Sequence, residues 1–245
     1  MKFGRRKRDE GEAAEVEVAE AVADEVEIAD TTPEVDIATD ADADLDEVDG
    51  VAPTDKSAPE DRAENGPHDE TEANLVRPYV DLGGVKVLPR EGLHLRLEVE
   101  EGSQRVVAVG LDYDDSTLQV QPFAAPRSTG LWHEIRAQIA EQIERQGGVV
   151  TEVDGPFGPE LRASVPVAVD GDGGTAGVRP ARFVGVDGPR WFLRGVIAGK
   201  AAEQPDDASE IEELFRSVVV VRGTTPMPPR DLIPLHMPKS TQTAI

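Results

Sequence analysis

Cysteine is absent from all 245 residues, which excludes a disulfide, a thiolate nucleophile and any cysteine-ligated zinc or iron–sulfur site. Long apolar runs are absent too. No stretch approaches the roughly 18 apolar residues that a membrane-spanning helix needs, so no span is expected. The opening MKFGRRKR has the basic residues of a signal peptide, but the acidic DEGEAAEVEVAE follows with no apolar core between them. A reducing, cytoplasmic setting is the plain expectation. Histidine is scarce: His68, His94, His133 and His236 are scattered without metal-ligand spacing.

Recognised catalytic motifs are also missing. There is no Gly-x-Ser-x-Gly elbow, no His-Glu-x-x-His and no phosphate-binding P-loop. GDGGTA (171–176) loosely matches a dinucleotide-binding turn, yet Arg179-Pro180 stands where a helix would have to begin. Asp170 and Asp172 resemble the start of a calcium loop, but its twelfth position is Ala181 where an acid is required. No catalytic residue, metal or cofactor is therefore assigned.

What is present is divided unevenly. Residues 1–74 carry 25 acidic and 7 basic groups, net −18, whereas residues 75–245 carry 24 and 18, net −6. Residues 9–74 contain no Phe, Trp or Tyr. Such a segment cannot bury enough apolar surface to offset roughly 1–2 kcal/mol of backbone ordering entropy per residue. The expected organisation is a disordered acidic tail with a basic N-terminus over 1–74, a folded domain over 75–235 and a flexible tail over 236–245.

Within the domain, Leu93, Leu95, Leu97 and Val99 alternate with polar residues. Val107, Val109 and Leu111 continue the pattern, followed by Leu118 and Val120, predicting an antiparallel meander. Leu131, Ile135, Ile139 and Ile143 recur every four residues and predict an amphipathic helix, with Ser128 or Thr129 as its cap and Gly147-Gly148 as its stop. Val-Asp-Gly-Pro occurs at 153–156 and 186–189 and marks two hairpins; good turn chemistry used twice is a simpler account than duplication. Ile211, Leu214, Phe215 and Val218 predict a second helix, with Asp207 and Glu210 as a capping box. Val218–Val221 then reads as a strand covered on both faces, and Leu232, Ile233, Leu235 and Met237 as an extended segment over the surface. The fold class is α+β: a single antiparallel sheet with two helices packed on it.

The segment GPRWFLRGVIAG (188–199) carries the main candidate site. A two-residue turn at Gly188-Pro189 would put Val184, Val186, Trp191 and Leu193 on one face. The other face would then hold Phe183, Asp187, Arg190, Phe192 and Arg194. The stretch reads mainly as core strand whose arginine stems cover apolar surface. The functional alternative is an anion-binding surface of Arg182, Arg190 and Arg194 beside Trp191.

QPFAAPRSTGLWHEIR, DGPFGPELRA, RFVGVDGPRWFLRGVIAG and VVVVRGTTPMPPRDLIPLHMP together resemble an uncharacterised family of actinobacterial proteins, domain of unknown function thirty-seven-ten. The resemblance runs from about Val80 to Pro238 and leaves the acidic segment outside it. It supplies a domain boundary and a bacterial cytoplasmic setting, but no catalytic residue. These observations predict a non-catalytic interaction or regulatory module with a protein partner. A small-anion or metabolite binder, or an enzyme using the arginine hairpin, is the alternative. Weak nucleic-acid binding through Lys2 and Arg5 to Arg8 stands second.

Overall fold

The computed structural model describes residues 55–100, 102–168 and 175–238. The basic N-terminus, most of the acidic segment, the Asp-Gly loop at 169–174 and the last seven residues lie outside the described residues. Eleven strands and four α-helices are found among those described. The chain is mixed α+β, with strand predominating. No helix among the described residues is long and apolar enough to cross a membrane.

Seven strands form the large sheet. They are β4 (His94–Val99), β5 (Val106–Tyr113), β6 (Ser116–Ala124), β7 (Val149–Gly155), β8 (Gly158–Ala168), β9 (Thr175–Asp187) and β10 (Trp191–Gly199). Their order is β4-β5-β6-β10-β9-β8-β7, antiparallel throughout. The alternation read from 93 to 120 is this meander. Its second turn is the two residues Asp114 and Asp115 at φ 46° and 58°. Aspartate tolerates that left-handed region, and the type I′ turn it permits matches the twist of the strands.

A second sheet, not foreseen, has four short strands: β1 (His68–Asp69), β2 (Val80–Asp81), β3 (Val85–Val87) and β11 (Val219–Val220), ordered β1-β11-β3-β2. The expectation of a single sheet is therefore corrected. The Val218–Val220 run is fully buried, as its unbroken apolar character required, but it pairs with β1 and β3 and not with the large sheet. The expected boundary at Asn74 falls inside packed structure. β1 aligns His68 with Val219, and the Trp191 indole N–H donates to Asp69 Oδ2 at 2.9 Å. Residues 55–74, without aromatics, still joined the fold because their backbone and polar side chains found hydrogen-bond partners on distant elements, which composition does not report.

The two faces of the large sheet are covered by different elements. Against one lies α2 (Trp132–Arg145), packing Trp132, Ile139 and Ile143 on Leu161, Ala163 and Phe192. Gly185 has no side chain for a reason: a Cβ there would stand 2.4 Å from the Trp132 ring. The helix ends as predicted, with Gly147 at φ 82° and the Gly148 N–H donating to Ile143 O at 2.9 Å, a Schellman closure. The opposite face carries α4 (Ser209–Arg216), the short α1 (Arg62–Asn65) and α3 (Lys200–Glu203), and the small sheet. There Trp191, Leu193, Ile197, Leu214 and Phe215 form the principal core. The Asp207–Glu210 capping box is not made. Asp207 closes a 3₁₀ turn at Pro205–Asp207, and the residue before α4 is Ala208.

The C-terminal segment does more than lie on the surface. Ile233 N–H donates to Pro122 O, while Leu235 bridges Gly83 of the small-sheet side and Val106 of the large sheet. Ile233 and Leu235 are buried, so this segment joins the two sheets.

Candidate functional site

The β9–β10 hairpin pairs Asp187 with Phe192 and Val186 with Leu193, so residues 188–191 form a four-residue loop instead of the expected two-residue turn. The slip is two residues, and a two-residue slip leaves every side chain on its original face. Val184, Val186, Trp191 and Leu193 accordingly share the principal core, while Phe183 and Phe192 face α2.

This register separates the three candidate arginines. Arg182 is buried on the α4 side. Its guanidinium donates to Glu160 at 2.9 and 3.1 Å and to Glu212 at 2.7 Å, binding β8, β9 and α4 into one charged cluster. Burial lowers the pKa of Arg182, but its hydrogen bonds to the two glutamates, with their negative charges, outweigh it and hold the group charged. Arg194 points the other way, over the Phe123 ring at 6.0 Å and onto Gln121. Burial pushes Arg194 down to about 10, with Glu98 pulling against it. Only Arg190 reaches the loop surface. The expected site of Arg182, Arg190 and Arg194 is therefore not brought together: the β9–β10 register places Arg182 on the Val184 and Val186 face and Arg194 on the Phe192 face, and Arg190 lies in the loop. Trp191 is wholly buried, with the Arg62 guanidinium 5.7 Å above its ring.

What the hairpin does build is a shallow depression of about 520 Å³. Lys56, Arg62, Arg127 and Arg190 line it, with Asp187 and the Gly188-Pro189 peptide as its floor. These residues come from the lead-in segment, α1, the turn before α2, and the hairpin loop. Gly188 is required here because a Cβ would sit 2.1 Å from the Trp191 ring. Lys56 Nζ donates to the carbonyls of Pro126, Gly188 and Pro189 and so ties the lead-in segment to both loops. Burial lowers its pKa, Asp187 raises it and Arg62 lowers it again, with the net effect downward.

Asp187 is the one carboxylate in the lining, and it is already engaged. Oδ1 accepts from Leu131 N–H at 2.8 Å, and Oδ2 from Ser57 N–H at 3.0 Å and Trp132 N–H at 3.4 Å. It therefore caps α2 from 56 residues away, a task that the sequence assigned to Ser128 or Thr129. Burial pushes the Asp187 carboxyl up, against the three N–H donors and Lys56. Arg62 is paired with Glu72 through two contacts of 2.7 Å. Arg190 gives one N–H to Gly223 O at 2.9 Å and stands beside Arg222, whose pKa burial and that neighbouring charge both lower.

Chemically, the depression offers cationic donors: the Arg127 and Arg190 guanidiniums, with Arg62 already paired to Glu72 and Lys56 held by three carbonyls. On a chain of net charge −24, four cations gather beside Asp187, and one of them, Arg62, is neutralised by Glu72. Sequence reading missed Lys56, Arg62 and Arg127, two of them because they lay in the assumed tail. A signal was available: no Lys or Arg occurs between Arg8 and Lys56, so the composition breaks at 56 and not at 75. Among the described residues, no group of three or more His, Asp or Glu could hold a metal ion.

The family model described as protein of unknown function (DUF3710) matches residues 66–244. The chain belongs to this family. The family's span includes β1, β11 and the whole large sheet, and so takes in Arg127 and Arg190, while Lys56 and Arg62 precede it. No curated protein matches the sequence. A solved structure similar to part of the chain is the solution structure of cyanobacterial PsbP (CyanoP) from Synechocystis sp. PCC 6803. The two are 14% identical over 56% of this chain and 87% of that one, with a TM-score of 0.33, a level that carries no argument about fold or function.

Proposed function

We propose that this member of the family is a non-catalytic interaction module whose docking surface is the cationic depression, and that its partner is an acidic segment of another protein. The observation that carries the reading is the grouping of Lys56, Arg62, Arg127 and Arg190 around a carboxylate that already accepts from three backbone N–H groups. A shallow, open surface with spread cations suits an extended acidic chain. The Cys-free composition fits a cytoplasmic setting.

A fluorescein-labelled deca-aspartate peptide, followed by anisotropy at low salt, tests the reading. Binding by the full chain should weaken about five- to thirtyfold in the Arg127→Gln, Arg190→Gln double variant, from roughly 0.5–1 kcal/mol per exposed charge. Equal affinity of the two proteins, or no binding when screening is least, overturns it. A second reading, a phosphorylated small molecule, is favoured by the volume of about 520 Å³, which lies in the range of roughly 300–1,000 Å³ for ligand pockets. Inorganic pyrophosphate that binds the depression while the peptide does not would select it.

A further inference from the structure

The segment that follows β11 brings a second arginine beside Arg190. Gly223, at φ 63°, turns the chain there. Its carbonyl accepts from Arg190 Nη2 at 2.9 Å, and Arg222 Nη1 donates to Thr225 O at 2.9 Å. Both guanidiniums are thus held by neutral carbonyls, which orient them without cancelling their charge. Arg222 Nε is buried and has no partner among the described residues. Elsewhere Arg62, Arg96, Arg136, Arg182, Arg216 and Arg230 each meet an Asp or Glu. No ion pair to Arg190 or Arg222 is found among the described residues. We infer that the Arg190–Arg222 pair holds a phosphate monoester, so that the acidic segment docking in the depression is anchored by a phosphorylated side chain. This rests on the reading that the depression binds acidic segments.

Charge and donor geometry select this ligand class. Burial and the neighbouring Arg190 charge both work against the charged form of Arg222, and an anion between the two removes that opposition. A phosphate monoester carries about two negative charges near neutral pH and three strong acceptor oxygens, so it balances both guanidiniums at once. A carboxylate brings one charge and balances only one of them. The planar guanidinium fork meets phosphate oxygens two at a time. A buried donor such as Arg222 Nε is destabilising until an acceptor arrives. Arg190 also belongs to the lining of the depression, so a chain lying in the hollow can deliver one side chain to the pair.

The test uses the full chain and two labelled decapeptides at about pH 7.5. One is deca-aspartate; the other has eight aspartates, one alanine and a central phosphoserine. Phosphoserine carries a charge of about −2 there, so the peptides match in net charge. The native chain should bind the phosphopeptide about tenfold more tightly than deca-aspartate. Arg222→Gln should reduce that ratio below about twofold, while its binding of deca-aspartate, within about fivefold of native, shows that it is folded. If Arg222→Gln does not fold, Arg222→Lys, which keeps the charge without the planar fork, should lower the ratio at least about threefold. Inorganic phosphate at about 10 mM should raise the melting temperature of the native chain and leave that of Arg222→Gln unchanged. A phosphate shift without any phosphopeptide preference overturns the side-chain anchor and assigns the pair to a free phosphorylated compound. The same peptide ratio in native and variant, or no preference and no shift, overturns the pair as a phosphate site, while deca-aspartate binding keeps the docking surface. If neither peptide binds, the docking reading and the anchor fail together.

Discussion

Replacing Asp187 with alanine isolates the contact on which the hairpin, the lead-in segment and α2 all depend. The carboxylate is 2% exposed and accepts from Leu131, Ser57 and Trp132 N–H groups. Loss of the helix cap costs about 1 kcal/mol. Leaving the Leu131 and Ser57 donors buried without acceptors adds about 1–3 kcal/mol in all once partial rehydration is allowed. The expected loss is thus about 2–4 kcal/mol. For a folded unit of 150–250 residues, each kcal/mol shifts the melting temperature by about 2–4 °C, so Asp187→Ala should melt about 4–16 °C lower. Asp187→Asn, which keeps one acceptor oxygen, should fall between that variant and the native chain. Differential scanning calorimetry reads the shift, and amide exchange at Leu131 and Trp132 locates it. Ser128→Ala and Thr129→Ala, the caps nominated by local sequence, should each cost under about 0.5 kcal/mol. An Asp187→Ala protein melting within about 2 °C of native, or a Ser128→Ala protein equally impaired, would refute the cap assignment.

Arg182→Ala removes the cation between Glu160 and Glu212 and leaves the buried Glu160 with Arg162 as its remaining cation, so it should cost up to about 3–5 kcal/mol; unchanged thermal stability would show that the cluster is not coupled to folding. Ile233→Ala, at a side chain 3% exposed between the two sheets, should cost about 2–4 kcal/mol in a denaturant titration. A cost under about 1 kcal/mol would mean that the C-terminal segment only rests on the surface. Burial raises the Glu98 carboxyl above its ordinary 4.5, with Gln119 and Arg96 opposing. The native state then holds that proton more tightly than the unfolded chain, so this group's contribution to stability falls as pH rises through 4.5 and beyond. Melting curves of Glu98→Gln should lack that decline; a parallel pH profile in both proteins would contradict the burial argument.

The legible parts of this fold were those whose information is local. α2 could be read because a fourteen-residue helix repeats its stripe several times, and Gly147-Gly148 stops it by backbone conformation alone. The faces of the β9–β10 hairpin survived an error in register because strand alternation has period two. The small sheet was not legible. Two-residue strands have no periodicity, and β1 exists because His68 meets Val219 about 150 residues away. The candidate site failed in sequence for a related reason. Arg182, Arg190 and Arg194 are close along the chain, yet alternation and the loop disperse them, whereas Lys56, Arg62, Arg127 and Arg190 are far apart and converge.

The sequence by itself determined the chain's charge asymmetry, the α+β texture, the faces of its amphipathic elements and the absence of thiol chemistry. These are sums over residues or repeats within one element, and they hold whatever the distant chain does. Tertiary structure alone decided that a second sheet forms, that Asp187 caps a helix it does not belong to, and that four cations from separate segments surround one hollow. Each of those depends on pairing groups distant in sequence, where backbone donors and charges take whatever partner packing brings within about 3 Å.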